Sequence, residues 1–121
     1  MAYRQIITKE LRLTGSPVAS AAHLVWRAPA DCRVVALHGH RSGGAAAAVN
    51  AQIGSTDVLA SNLTCGTGAG TYSTGTPSGD AGRMEAGDAL SLEVASGDAT
   101  TVIIQVDIAV DADEINYGVV S

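Results

Sequence analysis

The sequence has no phenylalanine, one tryptophan (Trp26) and three tyrosines (Tyr3, Tyr72, Tyr117). A core built without bulky aromatics must be filled by Val, Leu, Ile and Ala, which bury less area per side chain. In a single domain of 121 residues such a thin core is marginal, and association is the expected remedy. Lysine occurs once, at Lys9, and the six arginines are dispersed, which argues against the dense basic patch that nucleic acid requires. The formal charge of −5 argues against binding to anionic membranes. With only Cys32 and Cys65 there is no disulfide framework, and no stretch resembles a signal peptide. Both are expected to be reduced thiols in a chain made in a cytoplasm. No apolar run approaches the ~18 residues of a membrane-spanning helix.

What the chain does contain is strand alternation. Between Gly87 and Asp111, Leu90, Leu92 and Val94 alternate with Ser91, Glu93 and Ala95. Val102, Ile104, Val106, Ile108 and Val110 then alternate with Ile103, Gln105, Asp107, Ala109 and Asp111. A period of two puts one apolar and one mostly polar face on each strand. This stretch is expected to be the inner hairpin of a half-buried antiparallel sheet, turning at Ser96-Gly97-Asp98-Ala99.

Other segments follow the same rule. In residues 3–14, Ile7, Leu11 and Leu13 oppose Thr8, Glu10 and Arg12. Gly15-Ser16-Pro17 ends that segment. A second strand spans His23–Ala28, with Leu24 and Trp26 on one side and Val25 on the other. Pro29-Ala30-Asp31 makes a turn, and a third strand runs from Cys32 to His40. Ala45 to Ile53 is read as a strand rather than a helix, because nine residues ended by Gly54 make a poor isolated helix. Gly54-Ser55-Thr56-Asp57 then reads as a hairpin loop, with Val58-Leu59 starting the return. Thr64–Gly82, dense in Gly, Ser and Thr, is expected to be a long loop of functional, partner-ordered or mobile character. The whole predicts an all-β, single-domain antiparallel β-sandwich or jelly roll of about seven to nine strands.

Tests for chemistry return little. His38 and His40 share one strand face, as a chelating pair would, and resemble part of the cupin metal motif. The positions where cupins carry Gly and Glu hold Cys32 and Gly44-Ala45, and no third His follows. Since zinc and iron usually take three protein ligands, the pair reads as polar strand-end residues, with no metal and no cofactor expected. Gly66, Gly68 and Gly70 lack the strand-before and helix-after setting of a phosphate loop. His23, His38 or His40 with Asp31 and Cys32 form no recognisable triad context. Asp107, Asp111, Asp113 and Glu114 lack the spacing of a calcium loop, and Asn62-Leu63-Thr64 matches a glycosylation acceptor only in pattern. No catalytic residue is assigned.

Charge is unevenly spread. Residues 1–41 carry six cations against two acids, a balance of +4, whereas residues 42–121 carry one cation against ten acids, a balance of −9. Such a chain offers two unlike surfaces, one of which can face its own copies.

Over residues 30–110 the sequence VVALHGH, VNAQIGSTDVL, the Gly/Ser/Thr loop and AGDALSLEVASGD resembles small tailed-phage capsid decoration (cement or head-fibre) proteins. The resemblance implies a β-sandwich or jelly-roll homotrimer made in the host cytoplasm and placed on the virion's capsid surface. Its implied partner is the major capsid protein lattice, with no catalysis, nucleic acid or membrane involved. A phage fibre or tail module, a carbohydrate-binding module and a cupin-like metalloenzyme using His38 and His40 are the alternatives. The N-terminal segment 1–14 is the expected docking strand, with Arg4, Lys9 and Arg12 as cations and Ile6, Ile7 and Leu11 as apolar anchors, and 15–121 is the sandwich. A terminal strand can extend a neighbour's sheet edge. The core assignment has a direct check: burying each inward side chain contributes roughly 1.5–3 kcal/mol, so Ile104→Asp should abolish folding, and a soluble folded variant by circular dichroism would overturn the assignment.

Overall fold

The computed structural model describes residues 4–15, 21–44, 46–66 and 71–111. Among these residues ten strands form two five-stranded sheets. They are β1 (Arg4–Thr14), β2 (Ala21–Arg27), β3 (Cys32–Ser42), β4 (Ala47–Ile53), β5 (Thr56–Asp57), β6 (Leu63–Thr64), β7 (Ser73–Gly75), β8 (Arg83–Met84), β9 (Ala89–Gly97) and β10 (Thr101–Asp111). Sheet A runs β1-β10-β3-β7, with β8 also on β3. Sheet B runs β2-β9-β4-β5, with β6 also on β4. Every strand pair among the described residues is antiparallel. The fold is the β-sandwich that the alternation predicts.

The two faces meet in one core. Sheet A contributes Val34, Leu37, Val102, Ile104, Val106, Ile108 and Val110; sheet B contributes Ala47, Val49, Ala51, Leu90, Leu92 and Val94. Leu90, Leu92 and Val94 of β9 and Val102, Ile104, Val106, Ile108 and Val110 of β10 are buried, every second residue as a period of two demands. The 11-residue register of β1 on β10 brings Ile7, Leu11 and Leu13 against this core.

The expected hairpin is the first correction. β9 lies in sheet B and β10 in sheet A, so Ser96–Ala99 is an arch between sheets. Here Gly97 has φ 122°, and a Cβ on it would stand 2.3 Å from the Ala46 carbonyl oxygen. Gly44, in the arch joining β3 to β4, has φ 67°, and its Cβ would stand 2.3 Å from the Asp98 carbonyl oxygen. Only glycine fits either place. Asp98 N–H donates to Ala46 O (2.9 Å), Ala46 N–H to Asp98 Oδ1 (3.0 Å) and Thr100 N–H to Ser42 O (3.1 Å). The two arches are thus locked to each other, which a two-strand hairpin would prevent.

Three smaller corrections share a cause in tertiary packing. The return from Gly54 is made by Thr56–Asp57, and Val58-Leu59 lie beyond it as buried core residues. A bulge between Leu24 and Trp26 breaks the β2 alternation, leaving Leu24 72% exposed while Val25 and Trp26 pack on the core. Within the expected loop Thr64–Gly82, Ser73–Gly75 pairs with β3 and extends sheet A; residues 67–70 lie outside the described residues.

Asn50, which the alternation does not single out, is the one buried polar side chain among the described residues. Its Nδ2 donates to Leu59 O (3.2 Å) and Asn62 Oδ1 (2.9 Å), while its Oδ1 accepts from Ala51 N–H (2.8 Å) and Leu59 N–H (3.0 Å). One amide therefore pins residues 58–62 to β4. Stranding a buried backbone group costs roughly 1–3 kcal/mol, so Asn50→Leu should lose at least about 2 kcal/mol in urea unfolding; wild-type stability would show that the segment is held elsewhere.

Candidate functional site

The polar residues converge on the face of sheet A turned away from the core. The register sets them in rows across the strands: Thr8, Asp107 and Ala36; then Glu10, Gln105, His38 and Thr74; then Arg12, Ile103 and His40. A bulge at Asp107/Ile108, where β3 inserts Val35, keeps Asp107 on this face while Ile108 enters the core.

His38 is at the centre of these rows. Its Nε2 lies 2.8 Å from Asp107 Oδ2 and its Nδ1 2.8 Å from Thr74 Oγ1; Thr8 Oγ1 donates to Asp107 Oδ1 at 2.7 Å. An ionised carboxylate only accepts, so His38 Nε2 carries the hydrogen and donates it. Four strands are tied through this chain of side chains. His40 Nδ1 donates to Thr71 O at 2.7 Å. Tyr72 sits over both imidazoles, edge-on to His38 with ring centroids 6.5 Å apart and tilted against His40 at 5.8 Å. Gln105 Nε2 donates to Glu10 Oε1 at 2.7 Å.

The expectation of strand-end histidines is corrected here. His38 lies inside the sheet, flanked by β10 on one side and β7 on the other. Both its nitrogens are engaged, and among the described residues no three His, Cys, Asp or Glu side chains gather as a metal would need. His23 stands on sheet B. Asp31 is also elsewhere, with Oδ1 accepting from Ala86 N–H. Nor do the thiols join the site. Cys32 is pushed up to about 11 by burial and by Asp31 and Asp88. Cys65 is pushed up to about 11 by burial, which outweighs the lowering by Arg41. Both thiols are free and, held protonated, are poor nucleophiles. A Cβ on Gly39 would meet Cys65 Sγ at 2.9 Å, which places that thiol seven residues along β3 from Cys32. Seven residues of strand span ~23 Å, far beyond disulfide reach.

The six residues assigned to docking are divided by the pleat of β1. Ile7 and Leu11 pack on the core, and the half-buried Lys9 is in phase with them. Ile6 (51% exposed) and Arg12 lie on the outer face with Thr8 and Glu10. Arg4 pairs with Asp111 in the backbone register; its side chain is outside the described residues, as are Asp113 and Glu114. Among the described residues β1 is an edge strand, paired on one side only.

No protein-family model matches the chain, and no curated protein matches it. Solved structures do. One chain of the cyanophage Pam1 capsid asymmetric unit superposes with a TM-score of 0.57 at 14% identity, over 90% of this chain and 86% of its own. This is the fold of a phage capsid chain. A second match, from Bacillus endospore appendages described as a novel family of disulfide-linked pili, has a TM-score of 0.49 at 10% identity over 92% and 90% of the two chains; a likeness that loose supports no argument. At such identities the capsid likeness is one of fold, and it falls in the same class as the resemblance carried by residues 30–110.

The Asp107 carboxyl offers a direct test of the cluster. Partial burial pushes it up, but hydrogen bonds from His38 and Thr8 and the His38 charge outweigh that, holding it below the ordinary 3.8. A carboxyl depressed on folding stabilises the native state above its unfolded value, and the benefit is lost as pH falls through its folded value. The stability gap between wild type and Asp107→Asn should therefore be full at pH 6 and narrow progressively below pH 3.8. Urea midpoints measured across that range should show it; a constant gap would mean that the pair is not formed in solution.

Proposed function

We propose that this chain is a structural virion protein that sits on the outside of a phage capsid as a decoration or cement trimer and catalyses no reaction. The observation that carries the reading is the sandwich shared with a capsid chain over 90% of the sequence. Supporting it, the outer face of sheet A spends its polar groups on tying strands together, as the His38–Asp107–Thr8 chain does. A trimer engages several lattice contacts at once, so modest individual contacts add avidity of roughly 10²–10⁴. The partner in this reading is the major capsid protein lattice.

Docking is assigned to the N-terminal strand, and the pleat divides the labour. Ile7 and Leu11 hold β1 in the sandwich, while Ile6 and Arg12 meet the shell from the outer face. An inward cation on an edge strand, as Lys9 provides, discourages indiscriminate edge pairing, which favours contact through this face. A glycan-binding reading draws on Tyr72, 39% exposed beside His40 and Gln105; a glycan array would reveal it.

Ile6→Asp combined with Arg12→Glu should melt like the wild type yet bind purified capsids of its own phage roughly tenfold or more weakly. Ile7→Asp should instead lower the melting temperature. Unchanged capsid binding by the first variant would overturn the docking assignment, and a monomer at micromolar concentration by sedimentation equilibrium would overturn the trimer.

A further inference from the structure

We infer that the outer face of sheet A holds a saccharide site, in which Tyr72 stacks on a sugar ring while Glu10, Gln105 and His40 accept hydrogen bonds from its hydroxyls. The inference rests on the glycan-binding reading above and sharpens it to a ligand class and a set of atoms. Tyr72 immediately precedes β7 and leans across β3, its hydroxyl 3.5 Å from Gln105 Nε2 on β10. His38 and His40 brace the ring from below, with centroids 6.5 and 5.8 Å away. The ring is therefore held in place while 39% of the residue stays exposed. A tyrosine fixed in this way offers rigid apolar surface with a polar tip at little entropic cost.

The hydrogen-bonding atoms left unspent around that ring are acceptors. Gln105 Nε2 donates to Glu10 Oε1 at 2.7 Å, which leaves Glu10 Oε2 and Gln105 Oε1 without partners among the described residues. His40 Nδ1 donates to Thr71 O, so Nε2 of the neutral ring is a third acceptor. Half-buried Ile103, between Arg12 and His40 in the register, gives the patch an apolar floor.

Three acceptors beside an apolar ring select a ligand that joins several O–H donors to an apolar face, which is the chemistry of a pyranose. An oxyanion is disfavoured by the Glu10 carboxylate, to which it has nothing to donate. A cation is disfavoured by Arg12, two residues from Glu10 on the same face of β1. β1 and β3 each lie ~4.8 Å from β10, which leaves Glu10 and His40 far enough apart to admit one sugar ring between them.

The test uses the full chain free of capsid. Its probes are the methyl glycosides of glucose, galactose, mannose and N-acetylglucosamine, with inorganic phosphate and tetramethylammonium as charged comparisons. In NMR titrations at least one glycoside should shift the Gln105 side-chain amide and Tyr72 ring signals with millimolar affinity, and neither ion should. Tyr72→Ala should weaken that binding about tenfold or more. Tyr72→Phe should keep most of it, and Glu10→Gln should weaken it with the melting temperature unchanged. Arg33→Gln with Arg83→Gln, a pair opposite each other on β3 and β8 beside the end of β10, should bind like the wild type. Three results would overturn the inference: no glycoside moving those signals at about 50 mM, well above a millimolar dissociation constant; undiminished affinity in Tyr72→Ala or Glu10→Gln; or either ion displacing the sugar. Capsid binding by Tyr72→Ala should match the wild type's, and a fall would give this face to the shell instead of a sugar.

Discussion

The fold depends on a close approach of two backbones at one end of the sandwich. Gly97 and Gly44 each bring their arch to where a single methyl would collide with the other arch's carbonyl. With that contact in place, β3 and β10 enter sheet A while β4 and β9 enter sheet B, and their hydrogen bonds bind the crossings together. At the opposite end Ala28 exchanges two backbone bonds with the Gly87–Asp88 turn, so the chain crosses between sheets at both ends. An antiparallel sandwich whose long strands change sheets at nearly every turn has mostly non-local pairings. Such topologies fold slowly and rely on correct closure of their arches.

This crossing also makes the polar face. His38 and Asp107 are 69 residues apart in sequence, and Thr8 is 99 residues from Asp107. They are neighbours because β1, β10, β3 and β7 share a sheet. The resulting chain of hydroxyl, carboxylate and imidazole superficially resembles a catalytic relay. Its joins are between strands, however, and both His38 nitrogens are spent on them, so it acts as a polar clasp across sheet A. The two thiols, half-buried Cys32 and buried Cys65, are held protonated and add no nucleophile to that face.

A thin aliphatic core with polar clasps accords with the proposed role of holding position on a larger assembly. The likeness to a capsid chain is one of architecture, and what distinguishes this chain lies on its surfaces: the divided β1, the Tyr72 cap over two imidazoles, and the arginine pair beside the end of β10. Each is a product of register, since a slip of one residue would turn every one of them to the opposite face.

Strand alternation was legible from the residues alone. Val102 to Val110, Leu90 to Val94 and Ile7 to Leu13 all bury the side predicted for them, because a period of two is a local property of the backbone. The absence of large aromatics and the run of alanines likewise determined what kind of core could form. Partnership was not legible. A polar Ser-Gly-Asp-Ala turn is equally consistent with a hairpin and an arch; only the collision space around Gly44 and Gly97 decided for the arch. Asn50 looked like one more polar strand residue until Leu59 folded against it, and Leu24 shared a side with Trp26 until a bulge turned it outward. His38 could be placed on a face but not beside Asp107, since alternation assigns a side chain to a side of the sheet and says nothing about which strand lies next. That choice belongs to long-range packing, where many weak contacts among distant residues are satisfied together.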